Sequence, residues 1–157
     1  MEEFLITSEG FEKLKTELNY LKDVERPKII EQIAAARDLG DLKENSEYHS
    51  AKEKQGIIEA KISDLTNKSS RARIIDKSQL DIKKVTFGVT IELENLDNDN
   101  IVTYKVVSEY ESNIDLGHIS DKSPIARALI GKAINDEVEI KTPGGIKEYK
   151  INKIFIS

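Results

Sequence analysis

Gly40-Asp41-Leu42-Lys43-Glu44-Asn45 is a short, largely polar run between two long segments whose apolar residues recur at helical spacing. A chain with that pattern must reverse direction here, so the run reads as the tip of a two-helix hairpin. Asp41 and Glu44 stand three residues apart, close enough for one divalent ion to touch both carboxylates if the backbone is helical or tightly turned. A second reading needs no metal. Asp41 would cap the second helix and Glu44 would close a capping box three residues on. The residues alone leave both open.

On the N-terminal side, Ile6-Thr7-Ser8-Glu9-Gly10 reads as a helix start, with Thr7 or Ser8 as cap and Glu9 and Glu12 where the helix dipole favours negative charge. Phe11, Leu14, Leu18 and Leu21 then recur in steps of three, four and three, a narrow seam suited to a single partner helix. Pro27 interrupts it. Beyond the proline the seam is expected to resume at Ile30, Ile33 and Ala34-Ala35-Ala36 in a shifted register, and Gly40 supplies the left-handed residue that ends a helix.

On the other side of the tip, Tyr48, Ala51, Gln55, Ile58, Ile62, Leu65, Ser69 and Ala72 keep a three-four alternation. An unbroken helix from Ser8 to Leu39 would run roughly 48 Å. The small residues near the tip (Ala34, Ala35, Ala36, Ala51) bury little, so the far end depends on helix propensity and close backbone approach.

Near Ser70 the period changes from helical to two. Ala72–Asp76 reads as a short exit strand and Val85–Leu93 as a half-buried strand. Asp97–Asn100 is a turn into a further strand at Ile101–Val107, because the acids there lack the spacing of a calcium loop. Ser123-Pro124-Ile125-Ala126-Arg127-Ala128-Leu129-Ile130-Gly131 is a compact helix with cap, first-turn proline and terminal glycine in place. Strands at 136–141 and 147–156 follow, joined by Thr142-Pro143-Gly144-Gly145. The expected fold class is α+β: an antiparallel coiled-coil hairpin over residues 1–75, its acidic tip at 40–45, then a small antiparallel sheet domain with one short helix over 76–157.

Composition narrows the function. The chain has 157 residues, 38% hydrophobic, with 24 basic and 29 acidic side chains and a net charge of -5. That is not the footprint of a protein that grips duplex nucleic acid unaided. With no cysteine, disulfides, thiolate metal sites and cysteine nucleophiles are excluded, and a reducing cytoplasm is the expected setting. The acidic start Met1-Glu2-Glu3 lacks the pattern of a signal peptide, and no apolar run matches a membrane span. His49, near the tip, and His118, read as lying in a loop, receive no role. Arg37 and Lys52 lie near the tip on opposite arms, either satisfying nearby acids and helix ends or flanking a ligand. No nucleophile elbow, phosphate loop or H-E-x-x-H motif occurs.

Three stretches carry a resemblance: Ile29-Ile30-x-x-Ile33-Ala34-x-Ala36-Arg37, the tip run continuing as Ser46-Glu47-Tyr48-His49, and Ser123-Pro124-Ile125-Ala126-Arg127 with Thr142-Pro143-Gly144-Gly145. They resemble the bacterial Gre transcript-cleavage factors, on the GreA side of that family, and the resemblance covers essentially the whole chain. It implies an N-terminal coiled coil and a C-terminal FKBP-like domain that docks on bacterial RNA polymerase. The coiled coil would enter the secondary channel and stimulate cleavage of nascent RNA in backtracked complexes, exposing a new 3′ end. The protein is thereby expected to be an activator and not an enzyme, with no cofactor of its own.

The resemblance assigns Asp41 and Glu44 as acids acting in trans. They would hold a second Mg²⁺, shared with the polymerase active centre, only when docked, in a two-metal hydrolysis. It places Arg37 and Lys52 at the basic spot that meets the RNA 3′ end, and the small size of that spot suits the GreA type better than the more basic GreB type. Asn45 and Tyr48 fall on the tip motif, where they orient the acids or contact RNA. Ser123 and Pro124 are the expected docking residues, and a monomer is expected. The rival readings are an anti-cleavage homologue, a prolyl isomerase and a stand-alone metal nuclease, the last two opposed by the lack of a clear aromatic pocket and by the exposed two-acid tip.

Overall fold

The computed structural model describes residues 2–41 and 44–157. Met1, and Leu42 and Lys43 within the predicted tip, lie outside the described residues. The chain divides into two compact units, one spanning Phe11–Ala72 and the other combining Glu2–Gly10 with Arg73–Ser157.

The first unit is built from α1 (Ser8–Tyr20), a π-helical stretch (Leu21–Glu25), α2 (Arg26–Arg37) and α3 (Ser46–Arg71), and the division between the units falls inside α1. Leu14, Leu18 and Leu21 are buried as their spacing predicts, but the seam then continues through Ile29, Ile33 and Ala36, while Ile30 is exposed. The π stretch accounts for the difference. Each i→i+5 turn inserts one residue into the helical count, so the buried face moves by one position where a regular helix would have kept its three-four step. Pro27 is the second residue of α2, directly after the π-helical stretch, and its missing N–H leaves the helical ladder one donor short there.

On α3 the predicted seam is seen: Ala51, Ile62 and Leu65 are buried and Tyr48, Gln55, Ile58 and Ser69 are half-buried. Ile29, Ile33 and Ala51 form the small core nearest the tip, with Tyr48 and Ile58 packed on it. A bidentate pair, Arg26 Nε to Glu59 Oε1 at 2.7 Å and Nη2 to Oε2 at 2.8 Å, ties α2 to α3 along its open edge.

β1 (Phe4–Ile6) pairs with β2 (Ala72–Ile74), which belongs to the second unit from Arg73 onward. Sequence reading anticipated only the latter, since three residues are too few to show a period. Thr7 caps α1: its Oγ1 accepts from the N–H of Gly10 at 3.1 Å. The same residue is buried and donates from both N and Oγ1 to the carboxylate of Glu111, which also accepts from the N (3.2 Å) and Oγ (2.8 Å) of Ser108. A Cβ on Gly10 would strike the Glu111 side chain, so glycine is what lets this carboxylate reach Thr7.

The main sheet has five strands in the order β5 (His118–Ser120), β4 (Ile101–Val107), β3 (Thr90–Asn95), β7 (Gly145–Phe155), β6 (Glu137–Thr142). Its pairs are antiparallel except β4–β5, which is parallel, so the sheet is mixed where an antiparallel one was expected. The turn at 97–100 joins β3 to β4 as predicted, with Asp99 at φ +62°. The strand predicted over 85–93 begins only at Thr90. Val85, Phe87 and Val89 are buried as their alternation implies, but they belong to a turn-containing approach to the sheet. α4 (Pro124–Leu129) starts as predicted, the Ser123 Oγ accepting from the N–H of Ala126 at 3.2 Å. One face of the sheet carries Ile91, Leu93, Val106, Val138, Ile140 and Ile151, which with Leu129 of α4 make a continuous core. The opposite face carries Glu92, Glu94, Lys150 and Lys153 in register.

Candidate functional site

The tip is closed by Asn45. α2 ends as the N–H groups of Asp38 and Leu39 turn back on the carbonyls of Ala34 (3.3 Å) and Ala36 (3.1 Å), and Gly40 takes φ +144°, a backbone that side-chain-bearing residues rarely adopt. α3 then starts at Ser46, with Asn45 as its cap. The Asn45 Oδ1 accepts from the N–H of Tyr48 at 3.0 Å, and its Nδ2 donates across the turn to the carbonyl of Ala36. One side-chain amide therefore satisfies an orphan donor of α3 and a carbonyl in the last turn of α2.

This corrects the capping box expected from Asp41 and Glu44. The helix begins after both acids, and the cap belongs to a residue that can accept and donate at once, as a carboxylate cannot. The signal was present in the sequence, an asparagine directly before the apolar-periodic segment. The sequence reading gives Asn45 the orienting of the acids or an RNA contact, and not the cap.

Asp41 and Glu44 are both exposed, on either side of Leu42 and Lys43. Four carboxylates (Asp38, Asp41, Glu44, Glu47) lie in this stretch of sequence beside one lysine, a local field that favours a cation. Among the described residues, no three or more His, Cys, Asp or Glu side chains gather to hold a metal ion. Two hard carboxylates nonetheless suit Mg²⁺, which keeps several waters and takes one or two protein carboxylates together with phosphate oxygens from elsewhere. The donor set suits such an ion.

Behind the acids, the Arg37 guanidinium carbon lies 6.0 Å from the ring centre of Tyr48, which brings these two residues together across the hairpin. Tyr48 also meets the ring of His49 edge-on, centroids 5.6 Å apart at 70°. Lys52 is exposed one turn further along α3 and donates to Gln55 at 3.2 Å on its own helix. Arg37 and Lys52 thus each leave a cationic group near solvent on this end of the hairpin.

In the second unit, Ser123 and Pro124 line a cleft of about 540 Å³ with Ile114, His118, Ile125 and Pro143. His118 is in β5, in register with Lys105 of β4, and not in the loop expected for it. The Ser123 hydroxyl accepts the capping bond of α4, so the pair offers to the cleft the shape of the helix start and a hydroxyl proton able to donate.

Comparison with known proteins covers both units. Residues 4–74 match the model of the transcription elongation factor N-terminal domain, and residues 79–155 match that of the GreA/GreB C-terminal domain. A transcription elongation factor GreA from Phenylobacterium zucineum is 48% identical over 154 residues, covering 98% of each chain. One from Rickettsia canadensis is 50% identical over 151 residues, covering 96% of this chain and 93% of the relative. Among solved structures, GreA factor homolog 1 of Thermus thermophilus matches with 28% identity and a TM-score of 0.46, over 98% of this chain and 99% of its own.

Proposed function

The chain belongs to the GreA/GreB family of transcription elongation factors, and from that premise we propose that it stimulates cleavage of nascent RNA by bacterial RNA polymerase. The hairpin enters the secondary channel of a backtracked complex, and the sheet unit grips the polymerase through the surface around Ser123 and Pro124. The observation that carries this reading is the pair of exposed acids, Asp41 and Glu44, at the turn of a two-helix hairpin in a chain that matches the family along both units.

Asp41 and Glu44 are the residues that would hold a Mg²⁺ when the tip is docked. Such an ion, when bound, lowers the pKa of a water and steadies charge on the phosphodiester. Arg37 and Lys52 draw the displaced RNA strand toward the tip by charge, and Tyr48 offers an aromatic face for a base. The chain supplies ligands and orientation, and the polymerase supplies the catalytic centre, so the protein acts as an activator in the cytoplasm, where its partner works. Among the described residues no helix is long and apolar enough to cross a membrane.

The test is direct. Polymerase is halted in a backtracked state with RNA labelled at its 5′ end, then given Mg²⁺ with or without the protein. Shortened RNA that can be re-extended is the expected result; unchanged RNA at saturating protein defeats the proposal.

A further inference from the structure

We propose that Glu111 is a positioning residue for the hairpin: its carboxylate completes the N-terminal cap of α1 from 104 residues along the chain, so that the base of the hairpin is held by the unit that grips the polymerase. This rests on the cleavage function proposed above.

A capping box needs two reciprocal bonds. The cap's side chain accepts from the N–H of the third helical residue, and that residue's own Glu or Gln accepts from the N–H of the cap. In α1 the first bond is present, Gly10 N–H to Thr7 Oγ1 at 3.1 Å, but the third residue is glycine and has no side chain to return. Glu111 takes that part. It accepts from the Thr7 N–H at 3.2 Å and from the Thr7 hydroxyl, and it also accepts from the Ser108 N–H at 3.2 Å, the return bond of its own turn. One carboxylate thus closes two caps. A Cβ on Gly10 would lie where the Glu111 carboxylate now sits, so the glycine that cannot cap α1 makes room for the acid that does.

A local glutamate would have capped α1 without reference to the rest of the chain. Here the bond is made by Thr7, which is 1% exposed, so water cannot stand in for Glu111. Residues 2–10 and 73–157 form one compact unit, and this cap lies within it. A second tie to the same turn, Lys77 to Glu9, is largely exposed and weaker. Acids that must meet an ion in another protein's centre need a fixed base, because a displacement of about 1 Å at the reacting atoms can cost roughly a hundredfold in rate.

Two substitutions at one position separate positioning from capping. Gly10→Ala displaces the Glu111 carboxylate and leaves the Thr7 N–H without an acceptor; Gly10→Glu displaces it too but supplies the return bond from within α1. In the backtracked-complex assay, the maximal cleavage rate at saturating protein is expected to fall on the order of tenfold in both. The protein concentration for half-maximal cleavage is expected to stay within about twofold of wild type, because the gripping surface is untouched. In the free protein, Glu111→Ala is expected to speed hydrogen exchange at Thr7 roughly tenfold, and to leave it slow when Gly10→Glu is also present.

Full cleavage in Gly10→Glu, with loss only in Gly10→Ala, would make Glu111 a cap and nothing more, and would overturn the proposal. A raised half-maximal concentration at unchanged maximal rate would place its role in grip and overturn it too. If the wild-type protein gave no cleavage, the functional reading would have failed, whereas Thr7 exchange indifferent to Glu111→Ala would refute the long-range cap by itself.

Discussion

In the helical hairpin, burial is confined to a line of residues: Leu14, Leu18 and Leu21, then Ile29, Ile33 and Ala36, with Ala51, Ile62 and Leu65 on the returning helix. In the sheet unit, Val85, Val89, Ile91, Leu93, Leu129 and Ile151 are all essentially inaccessible and join in one continuous core. A line of contacts gives length with little burial per residue, and a two-layer core gives burial with little length. The lesson is a division of labour. The hairpin is thin and ends in small and polar residues, and the sheet unit is thick.

Core truncations should break this contrast in proportion to burial. Leu93→Ala in the sheet core is expected to lower unfolding free energy by about 3–4 kcal/mol, measured by urea denaturation. Ile62→Ala in the hairpin seam should cost about 2 kcal/mol, at the low end for such a change, because the thin seam can collapse onto the smaller side chain. Equal losses at the two sites would mean that the hairpin has a core comparable to that of the sheet.

The smallest effect concerns Glu9 in the first turn of α1. The Lys77 ammonium, hydrogen-bonded to its carboxylate, holds it at about 2, well below the ordinary carboxylate range. A depressed folded pKa contributes stability that is present above about 4.5 and lost as pH falls toward 2. The pair is largely exposed, so the contribution is expected below about 1 kcal/mol. Lys77→Met should flatten the acid limb of stability between those pH values. At neutral pH it should lower stability by the same small amount.

Much of this contrast was legible in the residues. The α3 seam could be read position by position because a long regular helix repeats its pattern many times. Ile29 was missed in favour of Ile30 because a π-helical insertion shifts the register by one residue, and nothing local marks it beyond the proline that follows. The sheet was read as antiparallel because the short parallel strand at His118 has no period of its own. At the tip, Asp41 and Glu44 were singled out by type and spacing, and the structure leaves both exposed. The cap was assigned to Asp41 because D-x-x-E is a familiar pattern, whereas the structure gives it to Asn45, whose amide bridges two helices that are distant in helical register. A contact across a turn leaves no periodic trace.

The central claim is that the tip brings ligands and the sheet unit brings grip. Its most direct test measures polymerase binding and RNA cleavage side by side for Asp41→Ala and Glu44→Ala. The account predicts retained binding with cleavage reduced on the order of a hundredfold in each variant. Retained cleavage in both variants, or binding lost together with cleavage, would contradict it.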